Sequence, residues 1–221
     1  MWMFLNWALG LRGLGCEVIW LDSFLGDPSS PSLSDDVGRL KRYLEPYGLA
    51  ERVALISQTG DSTPVDGCLG LEDAATADLF INLGYDLPAT VVSRFRRSAF
   101  VDIDPGLTQT WMSLGQLVVA DHDVYFTFGE TVGRTSSRIP TCGVRWCYTP
   151  PPVFLPAWPC VAADPGAPYT TVSNWWEEDW INIGGVAVDC TKRSAFLEYL
   201  DLPERVPVRL ELALLEPTED R

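Results

Sequence analysis

The chain has 221 residues, of which 47% are hydrophobic and 21% are charged, the proportions of an ordinary globular protein. Its 16 Lys and Arg residues stand against 30 Asp and Glu, giving a net charge of −14 that repels nucleic-acid phosphates and anionic lipid headgroups. The composition therefore excludes disordered and collagen-like classes and disfavours nucleic acid as a partner. No apolar run reaches the roughly 20 residues of a transmembrane segment, so none is predicted.

The six cysteines are scattered through a chain too long to need disulfides for stability. The apolar start lacks the basic residues of a signal peptide, and Arg12 interrupts it early. We therefore expect a cytoplasmic protein with reduced thiols at Cys16, Cys68, Cys142, Cys147, Cys160 and Cys190.

Helical and strand-like segments alternate through the first part of the chain. Apolar spacing and Gly, Pro and Ser punctuation predict helices over 2–11, 35–47, 72–78 and 107–114. Short apolar runs predict strands over 17–21, 53–57, 79–83, 99–103 and 123–128. This alternation is typical of an α/β fold, Rossmann-like, with a mainly parallel sheet and helices on both faces.

The amino-acid composition changes from about residue 138, where prolines become frequent. A strand over 169–173, a helix over 192–200 and a strand over 208–215 are predicted there. We expect a Rossmann-like domain over 1–205, with 206–221 as a linker and the start of a missing second domain. A doubly wound domain normally opens with a strand, whereas this chain opens with a helix, and its last predicted strand, around 210–215, has no sheet left to join. We therefore expect truncation at both ends. The alternative is a compact domain with an edge helix first and a surface strand last.

The segment after strand 99–103 carries the strongest candidate site. Ligands of open α/β sheets bind beyond the carboxyl ends of the strands, and Asp104, Thr108, Gln109 and Trp111 lie at such an end. Free amides at the following helix start can hold an anion or a sugar hydroxyl, and these side chains add hydrogen bonds and an apolar surface. The alternative, compatible with the first, is that Asp104 caps the helix and Pro105 occupies its first turn.

A second candidate site follows the strand over 123–128. Glu130 can serve as a base or bind hydroxyls, and Arg134 can meet an anion. The alternative is a helix N-terminus with a favourable acid in its first turn. Gly129 and Gly133 do not form G-x-G-x-x-G, so a dinucleotide site is not predicted.

Metal and hydrolase chemistry are weakly indicated. Asp102 and Asp104 form a D-x-D triplet without a third carboxylate nearby, and Cys142 and Cys147 with a single histidine make a poor zinc set. We predict no metal and no cofactor. A hydrolase would have to use His122, but no G-x-S-x-G motif supplies its serine.

Tryptophans crowd the second half of the chain. Aromatic rings fill cores or lids by default and stack on sugar rings in carbohydrate sites. Either role is open to Trp146, Trp158, Trp175, Trp176 and Trp180.

Several stretches resemble bacterial glycosyltransferases with the two-domain GT-B fold, and more particularly a poorly characterised glycosyltransferase-like group. The first of them reads Trp2-x-x-Leu5-Asn6-Trp7-Ala8-Leu9-Gly10-Leu11-Arg12 and continues to Val18. The others lie at 100–106 with Gln109, at 126–130 with Gly133, and at 139–141, 169–172 and 192–203. The resemblance extends over nearly the whole chain, but as scattered short matches without a diagnostic catalytic motif.

The resemblance implies an acceptor-side half of an enzyme whose second domain holds a nucleotide sugar as co-substrate. The chain lacks the first strand and glycine loop of that pattern and almost all of the donor domain. We assign catalytic roles to Glu130 and Asp104, and substrate binding to Thr108, Gln109, Trp111 and Arg134. An exposed interdomain face is expected to favour self-association. The alternative function is a stand-alone module that binds carbohydrate or another small molecule.

Overall fold

The computed structural model describes residues 1–59, 65–85, 87–175, 180–183, 186–189 and 191–215. It divides into two compact units, Met1–Trp158 and Pro159–Arg221. The helices of the first unit are α1 (Trp2–Gly13), α2 (Pro31–Leu44), α3 (Leu71–Ala74), α4 (Ala89–Val92) and α5 (Leu107–Ser113). Its strands are β1 (Trp20–Phe24), β2 (Val53–Ser57), β3 (Phe80–Asn82), β4 (Ser98–Asp102), β5 (Val124–Thr127) and β6 (Trp146–Tyr148).

Every strand pair among the described residues of the first unit is parallel. β1 pairs with β2, and β3, β4, β5 and β6 form a four-stranded sheet in that order. Every residue of β2 and β4 is buried, which explains why both strands are apolar runs rather than alternating patterns. The predicted α/β class with a mainly parallel sheet is confirmed.

The helices begin and end where local chemistry allows. Ser30 caps α2 by accepting a hydrogen bond from the Leu33 amide, and Pro31 occupies its first turn. The helix therefore starts earlier than the predicted 35–47. Helix α1 packs its buried Leu5 and Leu9 into a core cluster with Leu44.

Two further core clusters include residues of the four-stranded sheet. One joins β2 to β3 and the short helices α3 and α4, through Ile56, Phe80 and Val91 among others. Within it, the rings of Phe80 and Phe95 stack with centroids 4.3 Å apart. The other surrounds Phe100 of β4, which is fully buried against Val132.

The second unit holds β7 (Tyr169–Asn174), β8 (Trp180–Ile183), β9 (Val186–Asp189), α6 (Lys192–Leu197), α7 (Leu202–Arg205) and β10 (Leu210–Leu215). β8 and β9 pair antiparallel, and β10 pairs in parallel with β7 over all six residues. The expectation that the last strand, which falls within the predicted linker, has no sheet to join is therefore wrong, because β7 offers it a backbone edge. Tyr169, Val172 and Leu200 are exposed, and self-association through such a face stays a prediction.

Cys16, Cys68, Cys142, Cys147 and Cys160 are free thiols, while Cys190 lies outside the described residues. Burial raises the pKa of the Cys68 and Cys142 thiols, which disfavours their thiolate forms. In the part of the chain that the structure describes, no helix has the length and apolar character needed to cross a membrane.

Candidate functional site

The carboxylate of Asp102, at the end of β4, organises the carboxyl edge of the four-stranded sheet. It is fully buried, and its Oδ2 accepts hydrogen bonds from Gln109 Nε2 and Thr127 Oγ1, both at 2.6 Å. Its Oδ1 accepts from the Asp104 amide at 3.1 Å. Asp102 thereby ties the end of β4 to the turn that follows it, to α5 and to the end of β5.

The turn between β4 and α5 depends on a glycine and on Gln109. Gly106 has a φ of +96°, a conformation that favours glycine. Its amide donates to Gln109 Oε1 at 2.6 Å, so Gln109 closes the first turn from within the helix. The alternative in which Asp104 caps this helix and Pro105 occupies its first turn is wrong: α5 begins at Leu107, after Gly106. Asp104 contributes only its backbone oxygen to this turn, and that oxygen accepts from Thr108.

The loop after β5 is held against the loop after β4. The Gly129 amide donates to Thr127 Oγ1 at 3.0 Å, which continues the network that begins at Asp102. A methyl group placed on Gly129 would lie 2.6 Å from both Pro105 Cβ and Val132 Cγ2. Glycine at 129 therefore allows the two loops to touch, as the pairing of β4 with β5 requires.

The exposed polar groups of this edge lie on those two touching loops. Asp104 is exposed on the first loop, and Glu130 and Arg134 are exposed on the second. Arg134 donates to Glu130 Oε1 at 2.8 Å, forming a solvent-exposed ion pair. The edge therefore presents carboxylates and a guanidinium to solvent above a rigid, buried hydrogen-bond network.

The predicted binding residues fall into two groups. Thr108 and Gln109 have no exposed surface, and the amide of Gln109 is engaged by Gly106 and Asp102. Both side chains hold the loops in place, so direct contact with a ligand would require their hydrogen bonds to exchange. Trp111 is partly exposed and meets Tyr85 edge-on, with centroids 6.4 Å apart. Tyr85 in turn lies 3.1 Å from the Thr108 hydroxyl, which links the loop after β3 to the site.

His122 is buried just before β5, with both ring nitrogens engaged. Nδ1 lies 2.6 Å from the Ala120 carbonyl oxygen and must therefore carry the proton. Nε2 lies 3.3 Å from Asn82 Nδ2 and accepts from it. The Gly84 amide donates to Asn82 Oδ1, which fixes that orientation. Burial lowers the pKa of His122, so the neutral ring fits this network.

The remaining candidate groups do not converge on this edge. Trp146 is buried beside Phe100, while Trp158 is exposed and packs against Trp2. Trp175 stacks on Phe196 in the second unit, and Trp176 and the Trp180 side chain lie outside what the structure describes. Among the described residues, no group of three or more His, Cys, Asp and Glu side chains is arranged to hold a metal.

Sequence reasoning missed the role of Asp102, which it considered only as a metal ligand. The available signal was a polar residue at the end of an otherwise apolar strand, followed by Gln109 on the next helix. In searches against protein families, curated proteins and solved structures, nothing matches this chain.

Proposed function

We propose that this chain is the acceptor-binding half of a GT-B-like glycosyltransferase, which transfers a sugar from a nucleotide sugar to a hydroxyl acceptor. The carboxyl edge of the parallel sheet carries the proposal, because exposed Asp104 and Glu130 lie on two loops that the Asp102 network holds together. Ligands of open parallel sheets bind at that edge. Rigid loops also suit the positioning of an acceptor hydroxyl.

Each exposed group has a chemical task in this proposal. Glu130 accepts the proton of the attacking acceptor hydroxyl, and Asp104 holds a neighbouring hydroxyl by a charge-assisted hydrogen bond. Arg134 already pairs with Glu130, so the acceptor hydroxyl must share or displace that contact. Trp111 offers a partly exposed ring for stacking on a sugar.

Binding of simple sugars tests the acceptor role. We expect isothermal titration with methyl glucoside, methyl galactoside and N-acetylglucosamine to reveal at least one ligand. Glu130→Gln should weaken that ligand at least about tenfold, because hydrogen bonds to charged groups contribute about 1.5–3 kcal/mol. The matched control is Glu72→Gln, since Glu72 is also an exposed carboxylate paired with an arginine, Arg94. It should leave binding unchanged.

The result against the proposal is sugar binding that neither Glu130→Gln nor Asp104→Asn alters, or no sugar binding at all. UDP-glucose should bind no better than its sugar alone, because the donor site is assigned to another domain. In the enzyme joined to a donor-binding domain, Glu130→Gln should lower turnover far more than donor affinity. Tight sugar binding without transfer in that enzyme would favour a stand-alone binding module instead.

A further inference from the structure

A cavity of about 360 Å³ lies between β1 and β3, in the first unit. Residues 17–23, which lead into and include most of β1, form one side, and residues 79–84, which include β3, form the other. β1 pairs with β2, β3 pairs with β4, and no described ladder joins β1 to β3. The cavity therefore separates the two parts of what would otherwise be one parallel sheet.

The backbone of β1 directs hydrogen-bonding groups into this cavity. The Phe24 carbonyl accepts from Gln58, so Trp20, Asp22 and Phe24 face β2. Because backbone groups alternate sides along a parallel strand, those of Leu21 and Ser23 face the cavity. There the Ser23 amide donates to the Asp22 carboxylate at 2.8 Å, so a side chain takes the place of a neighbouring strand.

The backbone of β3 does the same from the opposite side. The Phe80 amide donates to the Arg97 carbonyl, so Phe80 and Asn82 face β4. The intervening Ile81 then directs its amide and carbonyl into the cavity. Two strand edges thus face one space, each with donors and acceptors in the plane of the sheet.

Most of the side chains that line the cavity are apolar. Phe4, Trp7, Ala8 and Leu11 of α1 line one face, at the spacing of a single helical stripe. Ala74, Leu87 and Phe95, from α3 and the segments around α4, also line the cavity.

We propose that this cavity is a peptide-binding slot that takes one extended apolar segment as an additional strand, parallel to β1 and β3. Only an extended backbone satisfies two strand edges at once, and only apolar side chains suit the two faces of such a buried strand. Helix α1 leads into β1 and so runs back along the slot. Its start at Trp2 therefore lies near the slot's carboxyl end, where a tethered strand would finish.

The test adds a tethered strand to the full chain. The segment Val-Ile-Val-Ile-Val, matching the five residues of β1, is joined through Gly-Ser-Gly ahead of Met1. The matched control replaces its two isoleucines by proline, which cannot donate to a ladder. Hydrogen exchange is then measured at the amides of Leu21 and Ile81, which face the slot, and at Phe126 of β5 as a reference for folding.

The proposal predicts exchange at Leu21 and Ile81 that is slowed on the order of tenfold or more by the apolar segment and not by the proline control. Phe126 should exchange equally in both chains. Equal exchange at Leu21 and Ile81 in both chains would overturn the proposal. If the extended chain does not fold, the free peptide Ac-Val-Ile-Val-Ile-Val-Lys-Lys-NH₂ is added to the unextended chain. Protection of the same two amides then supports the slot, and its absence overturns it.

Discussion

Replacement of Asp102 by asparagine removes the charge of the network and keeps its volume. The carboxylate accepts from three donors, two at Oδ2 and one at Oδ1. Asparagine has a single oxygen, so either one or two of these donors must face its NH₂ group instead. Since a hydrogen bond to a charged group contributes about 1.5–3 kcal/mol, we expect a loss of about 2–4 kcal/mol in the free energy of unfolding.

Urea denaturation followed by tryptophan fluorescence measures this loss, because Trp146 is buried beside β4. The melting temperature should fall by roughly 5–15 °C for a chain of this size. The control is Asp36→Asn, where the carboxylate is 65% exposed and pairs with Arg39. It should change stability by less than about 0.5 kcal/mol. An Asp102→Asn chain as stable as the control would refute the assignment of Asp102 as a charged three-way acceptor.

Three further results are expected. His122 is the single histidine, and burial lowers its pKa in the folded state. Its contribution to the free energy of unfolding should therefore be complete above its ordinary pKa near 6.5 and be lost as the pH falls below that value. In His122→Asn, urea midpoints should show no such loss near pH 6. Gly129→Ala should cost about 1–3 kcal/mol through the clash with Pro105, whereas Gly10→Ala in α1, where the added carbon meets nothing, should be neutral or stabilising in the same melts. Arg134→Gln should alter stability by less than about 0.5 kcal/mol by urea titration, because its ion pair is exposed; a larger loss would mean that the pair is structural.

Strand positions were largely predictable from local sequence because buried parallel strands are apolar runs. β2 lies over Val53–Ser57 as predicted. β1 was predicted over 17–21 and lies at Trp20–Phe24, because its ends are set by its register against β2, which a single segment does not encode. The three-residue β6 was missed among prolines, since it exists only through pairing with β5.

The location of the candidate site was predictable from the sequence, whereas its hydrogen-bond network was not. The rule that ligands bind beyond strand ends identified Asp104 and Glu130, which lie on the expected loops. The bond between Asp102 and Thr127 depends on strand register, since these residues are direct partners across the β4–β5 ladder. The slot between β1 and β3 likewise depends on how the strands pair, so no local sequence pattern predicts it.

The most direct test of the proposed function is amide chemical-shift mapping during titration with the three sugars named above. We expect concentration-dependent shifts at Asp104, Gly106, Gly129 and Glu130, on the two loops joined by the Asp102 network. Saturating shifts confined to other parts of the chain, or no shifts with any of the sugars, would contradict it.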